Sequence, residues 1–133
     1  MKNQMKYITV PLFCFLLGAT GCKKEEPIVF GCTDPASTSY NPSATDDNGT
    51  CEYEGQVTFW YNSIGSDATV LVNGQTGYIT LYYPNYNPDC GSSGCANFTL
   101  PTGSYTYSAS STWSNWSGNI TVTKNGCARV LLQ

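Results

Sequence analysis

The sequence predicts an all-β protein: about seven short strands forming an antiparallel sandwich, preceded by a small irregular module that a disulfide closes. Three observations point there. Beyond Gly55 the apolar residues recur at every second position, the period of a half-buried strand. Clusters of Gly, Pro, Asn and Asp interrupt these runs at regular spacing, and no stretch carries the spacing of an amphipathic helix. Before Gly55 turn formers dominate and nothing apolar recurs, so that part needs a crosslink to hold it.

In chain order, Lys2 and Lys6 give a positive start, Tyr7 to Leu17 is mostly apolar, and Gly18 to Gly21 are small or short-chained residues ending at Cys22. Residues 1–21 thus have the layout of a secretory signal, too short to span a bilayer of about 30 Å as a helix. Cys14 lies within the apolar run and is discarded with it. The Cys directly after small residues resembles the bacterial lipobox, although Ala19 stands where the commonest pattern has Leu. The resemblance implies that Cys22 is acylated and becomes the mature N-terminus; an ordinary cleaved signal is the alternative. Residues 22–31 then carry Lys23, Lys24, Glu25 and Glu26. In plain terms this is a solvated spacer. It is also similar to the export signal of Bacteroidetes lipoproteins, which implies lipid anchoring at the cell outer membrane, facing the exterior, with an inward face as the alternative.

Residues 32–54 form the irregular module. From Glu25 to Glu54 there are seven acids and no Lys or Arg, whereas Gly55 to Gln133 holds only Asp67, Asp89, Lys124 and Arg129, so a boundary falls near Gly55. Cys32 and Cys51 are well placed to close it, which stabilises by roughly 3 kcal/mol for a loop of about 20 residues in the chain-entropy model. An exported chain meets a compartment that permits such bonds. Gly31-Cys32-Thr33-Asp34-Pro35, Ser39-Tyr40-Asn41-Pro42 and Asp46-Asp47-Asn48-Gly49-Thr50-Cys51 closely resemble a short module of exported Bacteroidetes proteins, with Asn48 inserted before the Gly. Asp34, Asp46, Asp47 and Asn48 admit two readings. They make Asx-turns to neighbouring amides, as Asp and Asn before Gly usually do, or they supply oxygens to a structural calcium. The spacing is not that of an EF-hand, and turn-making is the preferred reading.

Residues 55–133 form the sandwich. Val57, Phe59 and Tyr61 share one face of a strand, and Thr58, Trp60 and Asn62 the other. Ala68, Val70 and Val72 lead to Asn73-Gly74, the pair that supplies the positive φ angles of a tight hairpin. Ile79, Leu81 and Tyr83 follow, then a loop from Pro84 to Gly94. Ala96, Phe98 and Leu100 precede Pro101-Thr102-Gly103, after which Tyr105, Tyr107 and Ala109 alternate. Ile120 and Val122 run into Lys124-Asn125-Gly126, and Ala128, Val130 and Leu132 make the last strand. The segments Leu100 to Ala109 and Trp116 to Val122 resemble prealbumin-like domains of the PEGA and carboxypeptidase-regulatory type. That likeness implies a seven-stranded sandwich used for display or adhesion and carrying no chemistry. Cys90, Cys95 and Cys127 leave one thiol over. Cys90 with Cys127 is favoured because it closes the longer loop, with Cys90–Cys95 and Cys95–Cys127 as alternatives.

The chain has no His, which removes the common nucleophile pairs and the usual acid-base group. Glu52, Glu54, Asp67 and Asp89 fall in loops or at boundaries with no evident partner to perturb them. The expectation is therefore a protein that is not an enzyme. A net charge of −3 offers nothing to a polyanion, so nucleic acid is not an expected partner. Trp60, Tyr78, Tyr82, Tyr86, Trp113 and Trp116 fall on faces or loops assigned to solvent and are candidates for a glycan or protein ligand; strand packing is the competing account. The sequence thus points to a non-catalytic surface lipoprotein acting as a binding or structural module of the outer membrane. A carbohydrate-binding accessory lipoprotein of a polysaccharide-uptake system and a calcium-stabilised adhesion module are the alternatives. No cofactor is expected apart from that calcium.

Overall fold

The computed structural model describes residues 26–133. Residues 1–21, the anchor candidate Cys22, and Lys23, Lys24 and Glu25 of the export signal lie outside them; Glu26 is exposed. No helix occurs among the described residues, and the architecture is all-β.

Just before the irregular module, β1 (Phe30–Gly31) pairs in parallel with β2 (Asp46–Asp47) inside it. The other strands are β3 (Glu54–Trp60), β4 (Ala68–Val72), β5 (Gln75–Ile79), β6 (Ala96–Pro101), β7 (Gly103–Ser111), β8 (Asn115–Val122) and β9 (Cys127–Leu131). They make two sheets, β6-β3-β9 and β5-β4-β7-β8.

The inward side chains build the core. Val57 and Phe59 of β3, Val70 and Val72 of β4, Ile79 of β5 and Leu100 of β6 are fully or almost fully buried. Phe59 sits at the centre, its ring edge-on to Phe98 at 5.8 Å and to Tyr107 at 4.8 Å between centroids. The β4–β5 hairpin turns at Asn73 (φ 48) and Gly74 (φ 73), as the Asn-Gly pair predicts. At Gly77 of β5 a Cβ would lie 2.7 Å from Cζ of Phe98 on β6, so any larger residue at this edge would have to displace that ring. The Tyr105 hydroxyl donates to the Pro101 carbonyl at 2.8 Å, which fixes the turn into β7.

Three sequence expectations are corrected. The sandwich is not wholly antiparallel, because β9 runs parallel to β3 with Gln56 opposite Cys127 and Trp60 opposite Leu131. A short turn at Thr123–Gly126 makes β9 reverse the direction of β8, and that is the direction in which β3 runs. Second, β5 ends at Ile79; Leu81 is exposed and the chain leaves the sheet there. Third, β3 is not half-buried. Thr58 is inaccessible and Trp60 is 4% exposed, although both point away from the core. The loop before β6 lies over this outer face. The Thr58 hydroxyl donates to Oδ1 of Asn97 at 2.6 Å, the Gly91 amide donates to the same oxygen at 3.1 Å, and Pro88 is fully buried. A disulfide from Cys90 to Cys127 ties the loop to β9.

The sandwich has two unlike ends. β3 starts beside the module, where the Thr102 amide donates to the Tyr53 carbonyl and the Asn125 amide to the Glu54 carbonyl, each at 2.8 Å. It finishes at the opposite end, where the Leu132 amide donates to the Trp60 carbonyl at 3.0 Å and the Tyr83 amide to the Tyr61 carbonyl at 2.9 Å.

Candidate functional site

At the end away from the module, two connections meet over the edge of the core. One runs from Tyr61 to Asp67 between β3 and β4, and the other is the tight turn Thr112–Ser114 between β7 and β8. The turn forms because the Ser111 hydroxyl accepts from the amides of Trp113 and Ser114, at 3.3 and 3.2 Å. The two connections are joined by the Thr112 amide, which donates to Oγ of Ser66 at 3.1 Å. Between them lies a pocket of about 280 Å³ lined by Tyr61, Ile64, Trp113, Trp116 and Leu132 among others.

Its floor is aromatic, and its rim sets Ile64 and Trp113 among serines. Trp116, on β8, is half-buried and its ring lies 5.5 Å from that of Tyr61. Trp113 and Ile64 stand out at the rim, 83% and 81% exposed. Burial raises the pKa of the Tyr61 hydroxyl, so it stays protonated at neutral pH and donates to the Ser66 carbonyl at 3.4 Å. No nucleophile paired with a base lines the pocket. What it offers is aromatic and apolar side chains with serine hydroxyls beside them.

The structure distributes the aromatic candidates unevenly. Trp113 and Trp116 share the pocket. Trp60 is removed from the candidates: it faces outward, but the three-stranded sheet is covered there and the indole is buried. Trp116 is corrected in part, being packed against the core rather than presented to solvent. Tyr82 lies across the 61–67 connection in a separate crevice with Tyr61 and Leu81. Tyr86 is 63% exposed, its ring edge-on to Tyr83 at 5.1 Å. Tyr78 is exposed on β5. Sequence reasoning missed Ile64 and Leu132. Ile64 is a lone apolar residue among Asn62, Ser63, Gly65 and Ser66, a signal that could have marked it as a loop residue presented for contact.

Three of the four calcium candidates make local turns. Oδ1 of Asp34 accepts from the Ala36 amide at 2.9 Å, Oδ1 of Asp47 from Gly49 at 2.8 Å, and Oδ1 of Asn48 from Thr50 at 3.1 Å, each an Asx-turn. Asp46 is exposed on β2. The other oxygen of Asp34 accepts from Lys124 Nζ at 2.6 Å and from the Tyr53 hydroxyl at 2.7 Å, and the ammonium also lies 3.9 Å from the centroid of the Tyr53 ring. Lys124, then the Tyr53 hydroxyl, holds the Asp34 carboxyl well below the usual carboxylate range, and Asp34 in turn raises the pKa values of Lys124 and Tyr53. Asp34 therefore binds the module to the β8–β9 turn. Among the described residues no three Cys, Asp or Glu side chains converge as a metal-binding group.

Cys32 pairs with Cys51 and Cys90 with Cys127. Cys95 is unpaired among the described residues and buried, and burial raises its thiol pKa. Glu52, Glu54 and Asp67 are exposed, and Asp89 lies 3.7 Å from Arg129.

No family model and no curated protein matches this chain. Among solved structures, the chain is similar to the Bacillus anthracis TIE protein, with a TM-score of 0.41 and 15% identity over 61% of this chain. The match spans 17% of that protein's chain, and it assigns no role to the pocket.

Proposed function

We propose that this protein is a non-catalytic lipoprotein, anchored through acylated Cys22 to the outer membrane, where the sandwich serves as an outward-facing binding or structural module. The observation that carries the reading is the polarity of the fold. The described chain begins at Glu26, four positions after Cys22, and leads into the module, and the pocket with Trp113 at its rim lies at the opposite end of the sandwich. An anchor at Cys22 therefore leaves that end farthest from the lipid. Two disulfides in one small chain fit an exported protein. Intact mass of the protein purified from membranes tests this: loss of residues 1–21, an acyl modification on Cys22 and two disulfides are expected. An unmodified Cys22 on a soluble protein overturns it. Protease added to intact cells reports the facing, since an outward domain is removed and an inward one is spared.

A second reading, a carbohydrate-binding accessory of a polysaccharide-uptake system, is favoured by the aromatic pocket itself, since sugar rings stack on exposed indoles. Trp113→Ala would then abolish glycan retention without altering the thermal transition.

A further inference from the structure

The outer face of the four-stranded sheet differs from every other surface of the molecule. The four strands β4, β5, β7 and β8 contain no Asp, Glu, Lys or Arg. All ten charged side chains of the described residues lie in the module, the loops, the β8–β9 turn or the three-stranded sheet. Protein surfaces ordinarily carry about a quarter to a third charged residues. Here one whole sheet face carries none.

Register turns this face into an array. One row across the sheet reads Tyr78, Thr69, Ser110, Asn115, and the next reads Thr76, Leu71, Ser108, Ser117. Thr106 opposite Asn119 and Ser104 opposite Thr121 extend it along β7 and β8. All of these residues are exposed. Neighbours stand about 4.8 Å apart across strands and about 6.8 Å apart along them. Within the described residues none of these side chains hydrogen-bonds to another protein group, whereas in the module Ser37, Ser39, Asn41, Asn48 and Thr50 all do. A groove of about 580 Å³ runs over the two central rows. It adjoins the aromatic pocket, because Trp116 lines both.

We infer that this face binds an uncharged polysaccharide along the sheet. Each hydroxyl both donates and accepts, and each amide does the same with separate atoms, so a polyhydroxyl ligand of variable local orientation finds partners everywhere on the array. Absence of charge matches an uncharged ligand, since no ion must be stripped of water to let it approach. Other occupants fit worse. Protein interfaces draw their binding energy from buried Trp, Tyr and Arg, and this face has only Leu71 and, at its edge, Tyr78. A polyanion needs cations that are not there. Single contacts of this kind are weak, and a polymer compensates by engaging many rows at once.

The inference rests on the outward display proposed above, but its test does not. Purified full-length protein in detergent is sedimented with cellulose, curdlan or amylose as uncharged polymers, and with polygalacturonate as an anionic one. Retention on at least one uncharged polymer, unchanged in molar salt, is expected. Ser108→Glu and Ser108→Lys should each reduce it more than tenfold, because either charge stands in the middle of the array without a partner. Thr106→Lys should weaken it as well. Both positions are exposed, and an unchanged thermal transition shows that the fold is intact. No retention on any uncharged polymer overturns the inference. So does equal retention by the Ser108 variants, or loss confined to Trp113→Ala, which would place the ligand in the end pocket alone.

Discussion

The irregular module and the sandwich solve the same problem with different means. In the sandwich, fourteen buried apolar or aromatic side chains form one cluster around Phe59. In the module only Cys32 and Ser37 have buried side chains, and the segment is held by the Cys32–Cys51 bond and a web of polar contacts. Ser37 Oγ donates to the Glu52 carbonyl at 2.7 Å and accepts from the Glu52 amide at 3.0 Å, and Ser39 Oγ donates to the Thr50 carbonyl at 2.7 Å. A segment of turn formers cannot bury enough apolar area to offset its ordering entropy, so it fixes its backbone by crosslink and by side-chain hydrogen bonds. The difference shows that the two regions should fail separately and under different insults.

The largest effect should come from the sandwich core. Phe59→Ala removes the ring that Phe98 and Tyr107 both touch and should cost about 3–5 kcal/mol in urea unfolding followed by Trp fluorescence. If the regions are independent, hydrogen exchange at residues 32–51 in the variant, measured well below its transition, stays as in the parent. Next, Cys90→Ser with Cys127→Ser releases a bridge of sequence separation 37 and should cost roughly 3–4 kcal/mol. Quenching of Trp60 by acrylamide should rise at the same time, because the loop covering β3 is no longer tied down. Cys32→Ser with Cys51→Ser opens a separation of 19, and the expected loss of roughly 3 kcal/mol should be confined to the module. Amide protection from Cys32 to Cys51 should disappear while the sandwich keeps its unfolding midpoint. A lowered midpoint would show that the module braces the sandwich.

The smallest effect belongs to the contact between them. Asp34 titrates below its ordinary value of 3.8 when folded, chiefly because of Lys124. Its contribution is thus fully present above that value and is lost as the pH falls towards the depressed one. Exchange protection of the module should therefore fall on acidification below about pH 4, and Asp34→Asn should remove that step and leave the neutral-pH behaviour of the sandwich core unchanged.

How much of this was legible depends on what each feature answers to. Alternation fixed the inward faces of β4, β6 and β7, because one side of each strand meets the core and the other meets water, and Asn73-Gly74 marked its hairpin by backbone chemistry alone. Trp60 was misjudged because alternation presumes that the second face is wet. The correcting signal was present in the favoured Cys90–Cys127 pairing: a bridge from the long loop to the last strand carries that loop across the strand between. The parallel placement of β9 depends on which sheet the chain enters after Gly126, a choice that period-two patterning does not encode. The hydroxyl array was equally out of reach, since its rows exist only once the register of four strands is known. Lys124 and Asp34 stand 90 positions apart, and nothing local joins them.

The pairing of β9 with β3 also orders events in time. β3 is the first strand of the sandwich to be synthesised and β9 the last, so the middle strand of the smaller sheet lacks one neighbour until Cys127–Leu131 has been made. Such a contact, distant along the chain, closes late and slowly. A polypeptide wired this way cannot complete its smaller sheet until Cys127–Leu131 is available to pair.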